Sequence, residues 1–415
     1  MIPTGAIRIE RLAAGGDGVG RLPDGRTVFV PRSAPGDVIV PADVRLSKRF
    51  ARARLGRLLE PGPDRVTPRC RHYVADQCGG CQWQHLSLDA QRAAKRAIIG
   101  DALRRLGHLD LPDPDVVPAD RAWGYRARVT LAVRAGGRRI GFHVLDRADR
   151  VFDLERCEIA DPALMDLWAA LRVERNLLPD GATALTLRLA RAGARHLLIE
   201  DQGTEVWSGA PKLAAALERR GVPATIWWRR LEGGGAARVM AGGTEPYPAT
   251  AFEQVNPSMG DAIRAFAVDR LGAMQGEHVW DLYAGVGDTS RALAQRGATV
   301  ESVEVDRRAV EYAARASGAS SAIVAHAGRA EALVPALRDP SRVITNPPRT
   351  GMDQRVMAEL VRRRPRRIVY VSCDPATLAR DLARLAEGYR VVEVTGFDLF
   401  PQTAHVESVA VLEIR

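Results

Sequence analysis

From residue 251 onward, apolar and polar positions alternate in two rhythms. Strand-length apolar runs fall at 278–283, 299–304, 321–325, 341–345, 366–371, 390–398 and 406–414. Helical patterns separate the first six of these runs, and none separates the last two. That βαβ alternation predicts an α/β, Rossmann-like, doubly wound sheet whose final strand enters antiparallel. Upstream, residues 123–247 read mostly as strands with glycine turns, as in Ala127–Arg134, Gly136-Gly137 and Gly233–Gly235. A helix is predicted over 88–106, with Ile98, Ile99, Ala102, Leu103 and Leu106 at helical spacing and Gly107 as its C-cap. Residues 1–60 predict a small β-barrel (OB-like) from the runs Ile7–Ile9, Thr27–Val30 and Asp37–Val40. Gly15–Gly20 and Pro23–Gly25 supply its turns.

Pro61-Gly62-Pro63 breaks the chain after the barrel. At about 100–200 residues per domain, 415 residues allow two or three domains. The expected division is 1–60, a β-rich central domain over 61–250, and 251–415, with the helix 88–106 packing on the last. No apolar run reaches the ~18 residues of a membrane span, and the first residues lack the basic-then-apolar layout of a secretory signal. Five cysteines, an odd number, fit a reducing cytosol better than a disulfide scaffold, so a cytoplasmic protein with no membrane partner is expected. The net charge of +10 and pI of about 9.9 favour a polyanionic partner. The only lysines are Lys48, Lys95 and Lys212, so GC-rich coding also explains the arginine excess. Arg45, Lys48, Arg49, Arg52 and Arg54 cluster beside the barrel, as a nucleic-acid platform or as a solvated face.

The cysteines divide four and one. Cys70, Cys78 and Cys81 read C-x7-C-G-G-C, which is metal-ligand spacing, and Cys157 supplies a fourth thiol. By spacing alone four thiolates suit zinc or an iron–sulfur cluster. Asp281–Gly287 follows the first strand of the predicted sheet and precedes a helix, so its glycines let the backbone approach a ligand. Glu304 ends the second strand, where an acid can accept ribose hydroxyls, and Asn346-Pro347-Pro348-Arg349 follows the fourth. No three-glycine GxGxxG is present. S-adenosylmethionine (SAM), which has no pyrophosphate to cradle, fits this loop better than a dinucleotide or a plain tight turn.

Cys373 follows the fifth strand, at the carboxyl edge where ligands bind in such sheets. A lone cysteine is more usually a buried apolar residue, but its place beside Asp374-Pro375 argues for a nucleophile. Glu407 starts the last strand, and an antiparallel entry would bring it to the same edge as Cys373, Asn346 and Asp281. A thiol beside SAM suits methylation of an unreactive carbon such as carbon 5 of uracil. Thiolate addition at carbon 6 makes carbon 5 nucleophilic. A base must then remove the carbon-5 proton so that the thiol can leave, and Glu407 is the candidate.

Phe252–Asn256, Asp281–Gly287, Asn346–Gly351, Ser372–Pro375, His405–Ser408, Cys78–His85 and Thr27–Gly36 carry a resemblance over essentially the whole chain. It resembles the RNA uracil-C5 methyltransferases, in particular the iron–sulfur members with an N-terminal TRAM domain, such as those acting on 23S ribosomal RNA. The resemblance implies a SAM methyltransferase fold, with Cys373 as nucleophile and Glu407 as base. It places Gln254, Tyr283, Asp288, Glu304 and Asn346 around SAM. It makes Cys70, Cys78, Cys81 and Cys157 ligands of a 4Fe–4S cluster, whose separation from the chemistry suits a folding or RNA-shaping role rather than electron transfer. It implies a monomer acting on RNA, ribosomal RNA ahead of transfer RNA, on a uridine flipped out of a loop. The chain departs from the pattern at Asn346, where many members carry Asp, at Ala284, a frequent Cys, and at Arg329, where an acid is common; the first cysteine gap is slightly long.

Two other classes compete. Methyltransferases of exocyclic amines share Asn-Pro-Pro but need an aromatic next, where Arg349 stands, and need no cysteine. A non-catalytic RNA-binding protein would leave the Cys373 and Glu407 pair without a purpose.

Overall fold

The structure is a computed structural model that describes residues 5–415 except 135, 138, 191, 192, 204, 244–251, 274, 319 and 320. The expected boundary at 250/251 lies outside the described residues. The chain opens with β1 (Ile7–Leu12), β2 (Gly18–Arg21), β3 (Thr27–Val30), β4 (Val38–Leu46) and β5 (Phe50–Glu60), a closed barrel in the order β1-β2-β3-β5-β4. Alternating inward residues, among them Ile7, Ile9, Val28, Val30 and Ile39, fill it. The expected turn over Gly15–Gly20 is corrected: the turn is Ala13–Asp17, and Gly18 and Gly20 lie in β2. They are glycine because the barrel wall is crowded there. A Cβ on Gly18 would stand 2.1 Å from Ser33 Oγ, and one on Gly20 would stand 2.6 Å from the Arg8 carbonyl oxygen. Arg45, Lys48, Arg49, Arg52 and Arg54 are exposed on the long β4–β5 hairpin.

Next come α1 (Arg71–Val74), α2 (Leu88–Arg105), β6 (Val116–Val117), β7 (Arg128–Arg134), β8 (Arg139–Gly141), β9 (His143–Val144) and β10 (Arg147–Val151). They are followed by α3 (Pro162–Val173), β11 (Ala182–Leu189), β12 (Arg195–Asp201), α4 (Ala210–Arg219), β13 (Thr225–Arg230) and β14 (Arg238–Ala241). A six-stranded mixed sheet, β14-β13-β12-β11-β7-β8, packs one face on α3 and α4. Reading this region mostly as strands missed both helices. The Asp161-Pro162 start was the signal of α3: Asp161 Oδ1 accepts the Ala163 N–H at 2.8 Å, and Pro162 opens the first turn.

The rest is α5 (Pro257–Leu271), β15 (His278–Leu282), α6 (Asp288–Gln295), β16 (Thr299–Glu304), α7 (Arg307–Ala316), β17 (Ile323–Ala327), α8 (Ala330–Leu333) and β18 (Arg342–Thr345). Then come α9 (Gln354–Arg363), β19 (Arg367–Ser372), α10 (Pro375–Leu385), β20 (Tyr389–Phe397) and β21 (Glu407–Ile414). The sheet order is β17-β16-β15-β18-β19-β21-β20-β6. The last strand inserts antiparallel between β19 and β20, and β6 extends the edge by a parallel pairing with β20.

Helix α2 belongs to this layer: Ile99 and Leu103 share a core with Leu282, Leu378 and Leu382. Gly107 is not the left-handed cap; His108 takes that conformation at φ 51°. A Cβ on Gly107 would stand 2.7 Å from the Leu103 carbonyl oxygen and 3.3 Å from that of Ala379, so glycine there lets α2 approach α10. Among the described residues no helix is long and apolar enough to cross a membrane.

Candidate active site

The β19–β21 ladder pairs Ser372 with Ser408. Continuing the register by one pair sets Cys373 across from Glu407, at the carboxyl edge of the parallel strands. Antiparallel insertion of the last strand thus brings together two residues far apart in sequence. Asp374 caps α10, its Oδ1 accepting the Thr377 N–H at 2.8 Å. Ser372 Oγ bonds both backbone groups of Asp374 and so fixes the turn that carries Cys373.

Cys373 is half-buried and Glu407 fully buried. Burial, then the Glu407 charge, pushes the Cys373 thiol up; Arg349 pulls it back by its charge and by a hydrogen bond to the sulfur. Burial pushes the Glu407 carboxyl up to about 8, against a hydrogen bond from Gln254 and the charge of Arg349. Among the described residues Glu407 Oε2 has no partner, and neither do the buried hydroxyls of its neighbour Ser408 and of Thr345 at the end of β18. A buried carboxyl with a free oxygen and a raised pKa suits a base working near neutrality.

Arg349 received no role from the sequence; its signal was a lone cation after Asn346-Pro347-Pro348 at a strand end. Its loop docks on α10: Thr377 Oγ1 donates to the Arg349 carbonyl at 3.0 Å, and Arg380 donates to the Thr350 carbonyl at 2.7 Å. Gly351 closes it at φ 87°, where a Cβ would stand 2.4 Å from Asp381 Oδ2. Only glycine fits both demands.

A cavity of about 420 Å³ opens beside the pair, within the ~300–1,000 Å³ range of small-molecule sites. Gln254, Tyr283, Asp288 and Asn346 line it, with Asp281 and Phe252. Glu304 does not: its two carboxylate oxygens accept the Gly285 and Asp306 N–H groups, each at 2.9 Å, and so brace the loop. Carboxylate oxygens keep lone pairs for a second donor each. The loop is wound tightly, with Tyr283, Gly285 and Gly287 all at positive φ. A tyrosine there costs about 1–3 kcal/mol, a local strain typical of ligand sites. Asp288 is ion-paired with Arg291 and, at 3.2 Å, with Arg264. Gln254 lines the cavity, and its side-chain amide also lowers the Glu407 carboxyl. Gly260 leaves it room, since a Cβ there would stand 2.8 Å from Gln254 Cβ.

Cys70, Cys78, Cys81 and Cys157 line one small pocket of about 30 Å³ elsewhere in the molecule. All are free thiols, as is Cys373. Burial pushes the Cys78 thiol up to about 12 and raises those of Cys81 and Cys157, and the thiols reinforce one another. Arg32 reaches in from the barrel, lying 3.9 Å over the Tyr73 ring and donating to the Cys78 carbonyl at 2.7 Å. The Gly80 N–H donates to Cys78 Sγ at 3.4 Å. Among the described residues no three His, Cys, Asp or Glu side chains are arranged to hold a metal ion as they stand. The donor set itself, four sulfurs on one pocket with a guanidinium beside them, fits a group that takes thiolates.

A family profile described as tRNA (uracil-5-)-methyltransferase matches residues 337–415. The chain is 35% identical to the 23S rRNA (uracil(1939)-C(5))-methyltransferase RlmD of Halomonas elongata, over 98% of this chain and 88% of that protein. It is 33% identical to the RlmD of Azoarcus sp. over 99% and 100%, and 33% identical to an uncharacterized RNA methyltransferase of Thermosynechococcus vestitus over 98% and 97%. The crystal structure of Pyrococcus abyssi tRNA (uracil-54, C5)-methyltransferase in complex with S-adenosyl-L-homocysteine superposes with a TM-score of 0.74, at 25% identity, covering 98% of this chain and 99% of that one.

Proposed function

This chain belongs to the family of RNA uracil-C5 methyltransferases, and we propose that its target is a uridine of large-subunit ribosomal RNA. It methylates carbon 5 of uracil in RNA at the expense of SAM. Cys373 and Glu407 are the nucleophile and the base. The single observation that supports this best is the β19–β21 register, which ends on the pair Ser372 and Ser408 and so sets Cys373 and Glu407 at the next position.

Cys373 adds to carbon 6 of uracil, forming an S–C6 bond and moving the C5–C6 π electrons toward the C4 carbonyl. Arg349, whose charge lowers the Cys373 thiol, favours the thiolate for that attack. Bound SAM would supply an electrophilic methyl group, which carbon 5 accepts as the S–CH3 bond breaks and S-adenosylhomocysteine is left. Glu407 then removes the carbon-5 proton; the C5–C6 double bond re-forms as the S–C6 bond breaks, and the thiolate returns. Gln254 holds Glu407 on the cavity side. Gln254, Tyr283, Asp288 and Asn346 surround SAM, with Glu304 bracing its loop.

Ribosomal RNA is favoured over transfer RNA because the RlmD relatives cover the chain at 33–35% identity, against 25% for the transfer-RNA enzyme. Mass mapping of 5-methyluridine in both RNA classes, with and without the protein, tests this. Loss at one large-subunit uridine is expected. Loss confined to transfer RNA would move the target, and loss in neither would overturn the reading.

The barrel reads as a TRAM domain, and Cys70, Cys78, Cys81 and Cys157 as the ligands of a 4Fe–4S cluster. Four sulfurs on one pocket and the resemblance support the cluster. Bound there, it would serve structure, holding Cys157 to the segment 70–81. Protein purified anaerobically is expected to be brown, with iron and acid-labile sulfide near four of each per chain. A colourless protein carrying zinc instead would sink the iron–sulfur assignment.

A further inference from the structure

The stretch 398–406 joins β20 to β21 and ends one residue before Glu407. Connecting loops ordinarily run over the surface. This one is buried at Asp398, Leu399, Gln402, Thr403, Ala404 and Val406. Separate parts of the chain grip it. From α2, Lys95 Nζ donates to Asp398 Oδ1 at 2.5 Å and to the Phe400 carbonyl at 3.0 Å. Gln91 donates through Nε2 to Gln402 Oε1 at 3.1 Å and accepts the Gln402 N–H on Oε1 at 2.8 Å. From the cysteine segment, the Trp83 N–H, two residues past Cys81, donates to the Gln402 carbonyl at 3.0 Å. Tyr125 Oη donates to the Pro401 carbonyl at 2.9 Å, and Asn256 Nδ2 donates to that of Leu399 at 3.3 Å. Gln402 itself is held at φ 71°, a left-handed position unusual for a residue with a side chain.

Gln91 and Lys95 stand on the buried stripe of α2 with Ile98 and Ile99, and both are 0% exposed. Apolar residues would fill that stripe with no desolvation cost, and a buried ion pair is weak evidence of added stability. What the polar pair does that leucines could not is fix two backbone groups and two side chains of one loop at once. We infer that Gln91 and Lys95 are positioning residues for the catalytic base, with the cysteine segment taking part through Trp83. The inference rests on the reading of Cys373 as nucleophile and Glu407 as base. The turn that carries Cys373 is fixed instead by Ser372 and Asp374. Loosening 398–406 should therefore displace the base and spare the nucleophile.

That separation gives the test a readout that mere loss of stability would not produce. Lys95→Met, Gln91→Leu and Gln402→Ala are compared with the native protein in single-turnover methylation, quenched in denaturant. Formation and release of the covalent protein–RNA species are timed separately. Formation is expected to stay within about threefold of native while release slows about 10–100-fold, the usual consequence of a misplacement near 1 Å. If formation and release fall together, or release is unchanged in all three variants, the inference is overturned. Should Lys95→Met or Gln91→Leu fail to fold, judged by binding of S-adenosylhomocysteine, Gln402→Ala decides on the same criterion, because it removes the side-chain bond between Gln91 and Gln402 and leaves α2 unaltered. A native protein that forms no covalent species overturns the nucleophile reading and this inference with it. A native covalent species with unaltered release in the variants overturns this inference alone.

Discussion

Cys373→Ala is expected to lower methylation by at least about 10⁴-fold while leaving the protein folded and able to bind S-adenosylhomocysteine and RNA. The loss amounts to roughly 5–6 kcal/mol in the barrier, at about 1.36 kcal/mol per decade. Truncating a half-buried cysteine costs on the order of 1 kcal/mol of stability, small beside the ~5–15 kcal/mol that holds a domain together. Unfolding therefore cannot mimic the effect. Cys373 also lies outside the residues lining the 420 Å³ cavity, so binding of the small ligand should survive. Transfer of labelled methyl groups from SAM to RNA measures the first quantity, and calorimetry with S-adenosylhomocysteine the second. Turnover within tenfold of native would sink the covalent route, whatever the register of β19 and β21. Loss of ligand binding along with activity would instead mark Cys373 as structural.

The sheet was legible because its buried strands alternate with helices in a rhythm that tolerates few other readings. The seven runs between 278 and 414 fall within two residues of the observed strands. The antiparallel last strand followed from a missing helix, a topological argument that needs no side-chain detail. Local chemistry was less visible. Gly18 and Gly20 read as turn residues because a glycine required for crowding across a barrel and one required for positive φ look alike in sequence. Helices α3 and α4 were lost in an apolar region where short runs do not separate the two periods. Glu304 was placed near the ligand by its strand end; that its oxygens also brace the loop through the Gly285 and Asp306 N–H groups had no sequence signal. Lys95 carried an unread signal: one of only three lysines, at helical spacing from Ile98 and Ile99 on an apolar stripe. Its partner, Asp398, is brought to it by the fold alone.

Glu407→Gln is expected to trap the enzyme on its RNA. Glutamine keeps the size of the side chain and can still bond Gln254, but an amide cannot take up the carbon-5 proton. Addition and methyl transfer should proceed, and release should slow by about 10²–10⁴-fold, the range for loss of a general base. A protein–RNA band resistant to denaturant should accumulate on gels, and its absence would rule out Glu407 as the base. The same substitution should stabilise the fold, with a defined pH dependence. Burial raises the Glu407 carboxyl from an ordinary 4.5 to about 8, so between these values the folded state holds a proton that the unfolded state has released. Stability from this group is complete below about pH 4.5 and is lost as pH rises through 8. Glutamine removes that loss. The variant's advantage in urea unfolding should therefore be small at pH 5 and reach roughly a few kcal/mol by pH 8.5, because each pH step of one between the two values costs the native protein ~1.36 kcal/mol. An advantage equal at both pH values would contradict a buried, protonated carboxyl. The same ionisation should make native kcat/KM climb with pH and pass its half-maximum near 8, since the base works only once it has lost its proton.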